Sequence, residues 1–289
     1  MQYGIVLPTM GPGGDARTIA DLAHDAEEAG WDGVFIWDAM YIEREKPEDA
    51  PTYDPWIALT AIAIRTERIR FGTMITPLSR RRPWKVARET VTLDHLSNGR
   101  LILPVGLGTL DDGGFSKVGE VTDRKQRAHI LDESLEILTG LWSGQPFSYD
   151  GTHYHLQEMT FTPPPVQSPR IPIWVIGAWH REQSMQRTLR YDGVIPARMN
   201  SDGAFGDMTP EDIQALNIYV AEQRSQQTPF DIVIEGETPG DNREQAVATV
   251  RPYIEAGITW WLESVWSTPE TQGGVEGMRS RIQQGPPTN

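Results

Sequence analysis

The sequence predicts one (β/α)8 barrel over residues 1–289, and three observations favour this fold class. Short apolar runs alternate with segments of helical periodicity through eight strand–helix units. The apolar runs are hydrophobic on both faces, as expected of parallel strands that helices cover. The chain of 289 residues is long enough to build all eight units of such a barrel.

The strands are the short apolar runs, each interpreted as one strand of a buried parallel sheet. In chain order they comprise residues 3–8, 33–38, 69–76, 100–108, 171–177, 193–197, 231–237 and 259–265. An open, doubly wound sheet is the competing fold. Residues 10–14 do place glycines after the first strand, but without the G-x-G-x-x-G spacing of a dinucleotide site. The barrel is therefore the better prediction.

The helices fill the intervals between the strands. Asp54 stands directly before Pro55, which is the pattern of an N-cap followed by proline at the first helical position. The fourth helix carries Leu131, Leu135 and Leu138 at helical spacing. The predicted helices comprise residues 15–29, 54–66, 83–97, 125–143, 181–191, 210–225, 242–256 and, more weakly, 270–284.

One segment interrupts the alternation of strands and helices. Residues 147–156, FSYDGTHYHL, place Asp-Gly between two short alternating runs, which is typical of a β-hairpin. A proline-rich connector follows at residues 162–165. Because the strand–helix alternation resumes directly after it, we expect an insertion near residues 144–170 on a continuing barrel, after the fourth helix, and not a domain boundary.

Charge and composition exclude several classes of function. The net charge of −14 argues against nucleic acid or an anionic membrane as a partner, and the basic run at residues 79–82 is too short to change this. The absence of cysteine excludes disulfides, thiolate metal sites and cysteine nucleophiles. The N-terminus lacks the pattern of a signal peptide, and no apolar run approaches the ~18 residues of a membrane span. We expect a soluble, cytoplasmic protein.

The segment TLDHLSNGRLILPVGLG, residues 92–108, directs attention to the end of the fourth strand. Active sites of barrels of this kind lie at the carboxyl ends of the strands. Gly106 and Gly108 stand at that end, where missing side chains would let a flat ligand approach the backbone. Relief of crowding at the barrel rim is an equally good explanation of the two glycines.

Six segments of the chain resemble the luciferase-like flavin-dependent oxidoreductases, a family that includes FMN-dependent monooxygenases and coenzyme F420-dependent enzymes. They are residues 69–100 (IRFGTMITPLSRRRPWKVARETVTLDHLSNGR), 103–108 (LPVGLG), 127–156 (RAHILDESLEILTGLWSGQPFSYDGTHYHL), 163–177 (PPPVQSPRIPIWVIG), 191–196 (YDGVIP) and 257–263 (GITWWLE). No single segment is decisive, but their order and spacing together match the family. The resemblance implies the same barrel fold.

The resemblance also implies a flavin or deazaflavin across the mouth of the barrel. The ring would lie near Gly72, Thr73, Met74, Gly106, Gly108 and Thr109. The phosphate would lie by Gly177, Ala178, Trp179 and Arg181, with Arg198 as a second candidate for phosphate or substrate. Several relatives have a non-proline cis peptide after the third strand, which makes the Thr73–Met74 bond a candidate here. A homodimer through the second and third helices and a separate flavin or F420 reductase are the implied partners.

Two departures from the family pattern affect the catalytic assignment. Many relatives have histidine after the aspartate that ends the second strand, but here Ala39 follows Asp38. Some relatives have an acid just after the fourth-strand glycines, but here Thr109 takes that place, with Asp111 and Asp112 further on. No acid–base pair can therefore be transferred. The remaining catalytic candidates are Asp38, His180 and Glu263.

These departures favour a monooxygenase that uses reduced FMN on a small organic substrate, because that chemistry needs less from a protein acid than hydride transfer does. A coenzyme F420-dependent reductase or dehydrogenase is the alternative. A barrel that binds flavin without turnover is a second alternative. A metal-dependent isomerase or aldolase using Asp38, Glu235 and Glu263 comes last, because no residues have the spacing of metal ligands, and we predict no metal site.

Overall fold

The computed structural model describes residues 1–11, 13–41, 51–110, 113–199, 205–264 and 273–288, and it confirms the (β/α)8 barrel. The strands are β1 (Gln2–Leu7), β2 (Gly33–Ile36), β3 (Arg70–Thr73), β4 (Thr76–Pro77), β5 (Leu103–Gly106), β6 (Phe147–Asp150), β7 (His155–Met159), β8 (Ile173–Trp179), β9 (Gly193–Met199), β10 (Phe205–Gly206), β11 (Asp231–Gly236) and β12 (Trp260–Ser264). The helices are α1 (Ala16–Glu28), α2 (Pro55–Arg65), α3 (Pro83–Leu96), α4 (Arg124–Trp142), α5 (Glu182–Thr188), α6 (Pro210–Gln223), α7 (Arg243–Ala256) and α8 (Gly274–Gln283).

Short polar side chains begin several of these helices. The carboxylate of Asp54 accepts a hydrogen bond from the backbone N–H of Ile57 at 3.0 Å, with Pro55 at the first position of α2 as predicted. Thr209 and Asp212 form a reciprocal capping box at the start of α6. Each cap satisfies backbone donors that have no partner within the helix, which fixes where the chain turns from strand to helix.

The sheet is parallel and runs in the order β3-β2-β1-β12-β11-β9-β8-β5-β4. The barrel closes where β3 meets the residues just before β5, at a parallel bridge between Phe71 and Leu101, where the N–H of Ile102 donates to the carbonyl of Phe71 at 2.9 Å. The predicted third strand is divided into β3 and β4 by a cis peptide. That cis bond joins Met74 to Ile75, so the expected position at Thr73–Met74 is wrong by one residue.

Two apolar clusters lie on opposite sides of the sheet. The inner cluster fills the barrel and comprises Val6, Phe35, Ile102, Trp174, Ile195, Val233, Trp260 and Leu262. The outer cluster, which includes Ile5, Val34 and Trp261, lies between the strands and the helices. In the inner cluster the rings of Phe35 and Trp260 each lie close to the ring of Trp174, at centroid distances of 5.2 Å. These three rings form a plug across the middle of the barrel.

A hairpin lies outside the barrel after α4. Strands β6 and β7 pair antiparallel, as the Asp-Gly sequence predicts. The carboxylate of Glu133 on α4 accepts hydrogen bonds from the backbone N–H groups of Thr152, His153 and Tyr154 at 2.9–3.1 Å. One buried acid therefore fixes the hairpin turn against the helix.

The described helices were compared with the length and apolar character of a membrane span. Across the ranges given above, none combines the length and the apolar character that crossing a bilayer requires.

Candidate active site

The mouth of the barrel, at the carboxyl ends of its strands, has an apolar floor. Side chains alternate between the two faces of a strand, so a residue two positions beyond a member of the inner cluster also points into the barrel. Trp37, Met74, Ile75 and Ile176 pack against the inner cluster and are only half-buried. The floor therefore presents partly open apolar surface, which suits the flat face of a ring system.

Small residues surround this floor at inward-facing positions of four strands. They are Gly106 on β5, Ala178 on β8, Ala197 on β9 and Ser264 on β12. Each lies an even number of residues after an inner-cluster residue of the same strand, or of the segment just before that strand, and so points to the same side of the sheet. Side chains of such small volume leave room above the floor. A flavin or deazaflavin ring fits this combination of a flat apolar base and small flanking residues.

The glycines predicted to approach the cofactor are already crowded by the protein. A Cβ at Gly72 would collide with the carbonyl oxygen of Ile102, and one at Gly177 would lie 2.7 Å from a methyl group of Val194. Gly108 has a φ of 76°, which glycine adopts without the steric cost of a side chain. Gly106 differs, because its neighbours on the Cβ side are floor residues, Ile75 and Ile176. Crowding at the rim thus explains three of these glycines without a ligand.

Asp38 lies at the mouth but is bound by two arginines. Arg81 donates through Nη2 to both carboxylate oxygens at 2.7 Å, and Arg80 donates to Oδ1 at 3.2 Å. Arg80 also donates to the backbone carbonyl of Asp38 at 2.8 Å. The side chain of Asp38 is 1% exposed. This arrangement holds the loop after β2 to the loop after β4, and it suits a structural role better than proton transfer.

A second arginine contact holds the loop after β5. Arg127 on α4 donates through Nη1 to the carbonyls of Leu107 and Gly108, at 3.1 and 2.9 Å. Burial, reinforced by the nearby Arg124, lowers the pKa of Arg127 below the usual arginine value. The guanidinium groups of Arg80 and Arg127 both lie over the ring of Phe115, at 5.2 and 5.1 Å from its centroid. The backbone beside the floor is therefore rigidly held, while Thr109 beyond it is exposed.

Residues predicted to hold the phosphate lie at the end of β8 and the start of α5. The N–H of Ala178 already donates to the hydroxyl of Ser184 at 2.9 Å, and the N–H of Arg181 donates to the carbonyl of Ala178 at 2.9 Å. Both donors are thus used inside the protein. The side chain of Arg181 is exposed. A phosphate contact there stays a prediction.

An aromatic groove lies beside this loop, on the helical side of the sheet. The ring of His180 lies against that of Trp179 with centroids 4.6 Å apart and planes tilted by 38°, and Tyr219 of α6 meets Trp179 edge-on at 6.0 Å. These side chains line a groove of about 350 Å³. Trp179 has the parity of the outer cluster, so its ring lies away from the floor. Arg198 is half-exposed and lies 3.4 Å from the carboxylate of Asp212.

Two further predicted residues use their polar atoms in the structural core. Glu263 lies on the outer face of β12, where its carboxylate accepts from the N–H and the hydroxyl of Thr238 at 2.7 and 2.9 Å. Arg281 of α8 lies 3.4 Å from the same carboxylate. The hydroxyl of Thr73 is 2.6 Å from that of Thr76 in the buried turn between β3 and β4. The structure therefore does not bring Glu263 to the mouth.

One acid that does face the mouth is absent from the predicted catalytic residues. Glu235 has the parity of Val233, an inner-cluster residue, and the hydroxyl of Ser264 donates to its carboxylate at 2.5 Å. From the sequence, Glu235 is a candidate metal ligand and a strand carboxylate that could face the barrel interior, but alternation along β11 alone does not decide which face points inward. Asp111 and Asp112, and parts of the loops that could shape a substrate pocket, lie outside the described residues.

Comparison with curated proteins gives relatives across most of the chain. The F420-dependent glucose-6-phosphate dehydrogenase of Nakamurella multipartita is 28% identical over 261 residues, which cover 89% of this chain and 71% of that protein. Four other proteins of the same name match more locally, and the matches span 41–47% of their lengths.

Solved structures share the fold at low sequence identity. An F420-dependent secondary alcohol dehydrogenase in complex with an F420–acetone adduct has a TM-score of 0.77 at 16% identity, with 98% of each chain covered. The monooxygenase RslO1 from Streptomyces bottropensis has a TM-score of 0.67 at 23% identity, with 99% of this chain and 91% of that chain covered. The family model described as luciferase-like monooxygenase matches residues 1–282. Because that match spans nearly the whole sequence, this chain belongs to the luciferase-like family of oxidoreductases.

Proposed function

We propose that this protein is a coenzyme F420-dependent oxidoreductase that acts on a small organic substrate. The observation that carries the redox-ring part of this proposal is the apolar floor, Trp37, Met74, Ile75 and Ile176, half-buried at the mouth. The choice of F420 over FMN is supported by the F420-dependent glucose-6-phosphate dehydrogenase of Nakamurella multipartita, whose match covers 89% of this chain. When bound, a deazaflavin supplies hydride chemistry.

The residues of the mouth would position the ring and exclude water. The floor offers apolar contact to one face of the ring, and Ala178 and Ala197 leave space at its edges. The contacts of Arg127 with the β5 loop and of Arg81 with Asp38 fix the backbone on which the floor is built. A rigid, dry surface strengthens polar interactions with bound groups, because less water competes with them.

A monooxygenase that uses reduced FMN is the second candidate. Ala39 favours it, because the histidine that serves hydride transfer in many F420-dependent relatives is missing. The similarity of fold to the monooxygenase RslO1 is compatible with it. We rank it second because Glu235 offers an inward-facing acid, so that the missing histidine weighs less against hydride transfer.

The test is titration of the purified protein with F420 and with FMN, each oxidised and reduced, followed by fluorescence and absorbance. We expect F420 to bind at least about tenfold more tightly than FMN, a difference of about 1.4 kcal/mol. Tighter binding of reduced FMN would favour the monooxygenase, and binding of neither ring would contradict both proposals. Secondary alcohols and glucose 6-phosphate, tested for reduction of bound F420, would distinguish an enzyme from a barrel that only stores the ring.

Two partners belong to the same proposal. A separate reductase or dehydrogenase would supply the cofactor in the redox state that this protein consumes. A second copy of the chain would cover the outer face of α2, where Ile57 is 66% exposed and Ile64 is 71% exposed. These two residues are seven apart and therefore lie on one side of the helix.

A further inference from the structure

Glu235 occupies a distinct place among the strand ends. It pairs in register with Leu262 of β12, and it lies two residues beyond Val233, so its side chain points into the barrel above the aromatic plug. It is half-buried. Ser264, two residues beyond Leu262 and 1% exposed, donates to its carboxylate. Two neighbouring strands thus place a carboxylate and its hydroxyl donor on the inner wall of the mouth.

No other ionisable side chain shares this position among the strand residues that the structure describes. The inward-facing residues from the plug to the strand ends are Val6, Phe35, Gly72, Pro104, Gly106, Ile176, Ala178, Ile195, Ala197, Met199, Val233, Glu235, Leu262 and Ser264. Asp231 also faces inward, but it begins β11 at the opposite end of the barrel. Asp38 and Glu263 have the outward parity of Ile36 and Trp261. Among the described residues, Glu235 is therefore the acid that faces the floor.

We propose that Glu235 is the catalytic acid–base of this site, assisted by Ser264, for a substrate that interconverts alcohol and carbonyl. The inference rests on the proposed function, which supplies oxidised F420 as the electron acceptor. In the oxidising direction, the carbinol carbon loses a hydride to F420, and the O–H bond breaks with transfer of its proton to the Glu235 carboxylate. The C=O bond forms from the electrons of that O–H bond. In the reverse direction, the protonated Glu235 returns its proton to the carbonyl oxygen.

The carboxylate of Glu235 faces the space that a bound ring would fill. From β12 it meets Leu262 and Ser264, and from β9 the inward residue at the mouth is Ala197. On β11 the nearest acids are Asp231, four residues earlier, and Glu237, which is exposed. A ring placed on the floor would remove water from the carboxylate, which favours its protonated form. The hydroxyl of Ser264 favours the ionised form.

The test is calorimetric titration with F420 in buffers of different ionisation enthalpy, which counts the protons taken up per F420 bound. The wild type, Glu235→Gln, Ser264→Ala and a control, Glu222→Gln, are compared between pH 5 and pH 9. Glu222 is exposed on α6. We expect the wild type and the control to take up a fraction of a proton at the acidic end of this range and none at pH 9, where Glu235 stays ionised and can accept the substrate proton, and we expect Glu235→Gln to lose the uptake. Ser264→Ala should move the uptake to higher pH, because the ionised form has lost a donor.

The outcomes separate this inference from the proposed function. F420 binding with proton uptake that Glu235→Gln leaves unchanged would overturn the role of Glu235 and leave the proposed function standing. Failure of the wild type to bind F420 would overturn both. A structural role of Glu235 would weaken binding of F420 or unfold the protein, but it would not remove proton uptake while affinity is retained. With any alcohol that the wild type oxidises, Glu235→Gln should lower kcat by about 10²–10⁴-fold with F420 affinity within about threefold.

Discussion

Arg81 donates through a single nitrogen to both carboxylate oxygens of Asp38, each at 2.7 Å, and so connects the ends of two strands of the barrel. Asp38 follows β2 and Arg81 follows β4, so this ion pair connects two loops of the mouth. Arg80 joins it with a side chain that is 2% exposed. The basic run that is too short to bind nucleic acid thus has a function within the fold, which is to hold the loops around the floor.

We predict that Asp38→Asn destabilises the protein strongly. The substitution removes the negative charge that the guanidinium of Arg81 faces and one acceptor of Arg80, and breaking a buried ion pair from one side typically costs about 3–5 kcal/mol of unfolding free energy. The control is Asp21→Asn, which breaks an Asp–Arg pair whose side chains are 49% and 46% exposed and should cost at most about 1 kcal/mol. Urea unfolding followed by tryptophan fluorescence measures both. Similar small losses in the two variants would show that the Asp38 cluster does not hold the loops.

The hydrogen bonds that the Glu133 carboxylate accepts from the hairpin should make the stability of the protein depend on pH. Burial alone would raise the pKa of Glu133, but the His153 ring and the N–H groups of His153, Thr152 and Tyr154 outweigh it, and the pKa is lowered below 4.5. A carboxyl whose pKa is lowered by folding stabilises the protein above its unfolded pKa and loses that contribution as pH falls through the folded value.

Glu133→Gln should therefore lower the unfolding free energy by about 1–3 kcal/mol at pH 7 and by progressively less as the pH is reduced below 4.5. Urea unfolding at a series of pH values measures the difference. The control is Glu158→Gln, an exposed position on β7 of the same hairpin, which should change little at any pH. If the difference in unfolding free energy between the wild type and Glu133→Gln is the same at every pH, the contribution of Glu133 does not depend on its charge.

Most of the fold could be predicted from local signals, but the roles of the mouth residues could not. Asp54 and Pro55 indicated α2, and alternation along β12 places Trp260 and Leu262 on one face and Trp261 and Glu263 on the other. Alternation defines two faces of a strand, however, and only closure of the barrel decides which is inside. In the closed barrel Glu263 lies on the outer face of β12, towards the helices.

The same limit explains what was missed at the mouth. The partners of Asp38 come from a segment 42 and 43 residues later in the chain, and no local pattern links the two. The inward direction of Glu235 follows from the place of Val233 in the inner cluster, which only the folded barrel shows. Pairings between strand ends depend on the register of the whole sheet, which residue spacing along one strand does not contain.

We predict that the outer face of α2 mediates self-association. Ile57→Glu combined with Ile64→Glu should convert a dimer into a monomer, because like charges would replace apolar contact on both copies of a two-fold interface. Light scattering coupled to size exclusion measures the mass. Ile218→Glu is the control, since this residue is 56% exposed on α6. A wild type that is monomeric at micromolar concentration would contradict the proposal directly.

Ala197→Leu tests whether the ring lies on the floor. Ala197 is half-buried and has the inward parity of Ile195, so a leucine there would enter the space above the floor without replacing any packed side chain. Inserting extra carbons into a fitted site typically costs about 1–3 kcal/mol, which corresponds to a loss of F420 affinity of about tenfold or more.

Ala221→Leu, on the exposed side of α6, is the matched control and should bind F420 like the wild type. Fluorescence titration gives the two affinities, and urea unfolding should show that both variants are folded. If Ala197→Leu binds F420 as tightly as the control does, the ring does not cover this side of the mouth, and the contacts assigned to Ala178, Ala197 and Glu235 would have to be abandoned together.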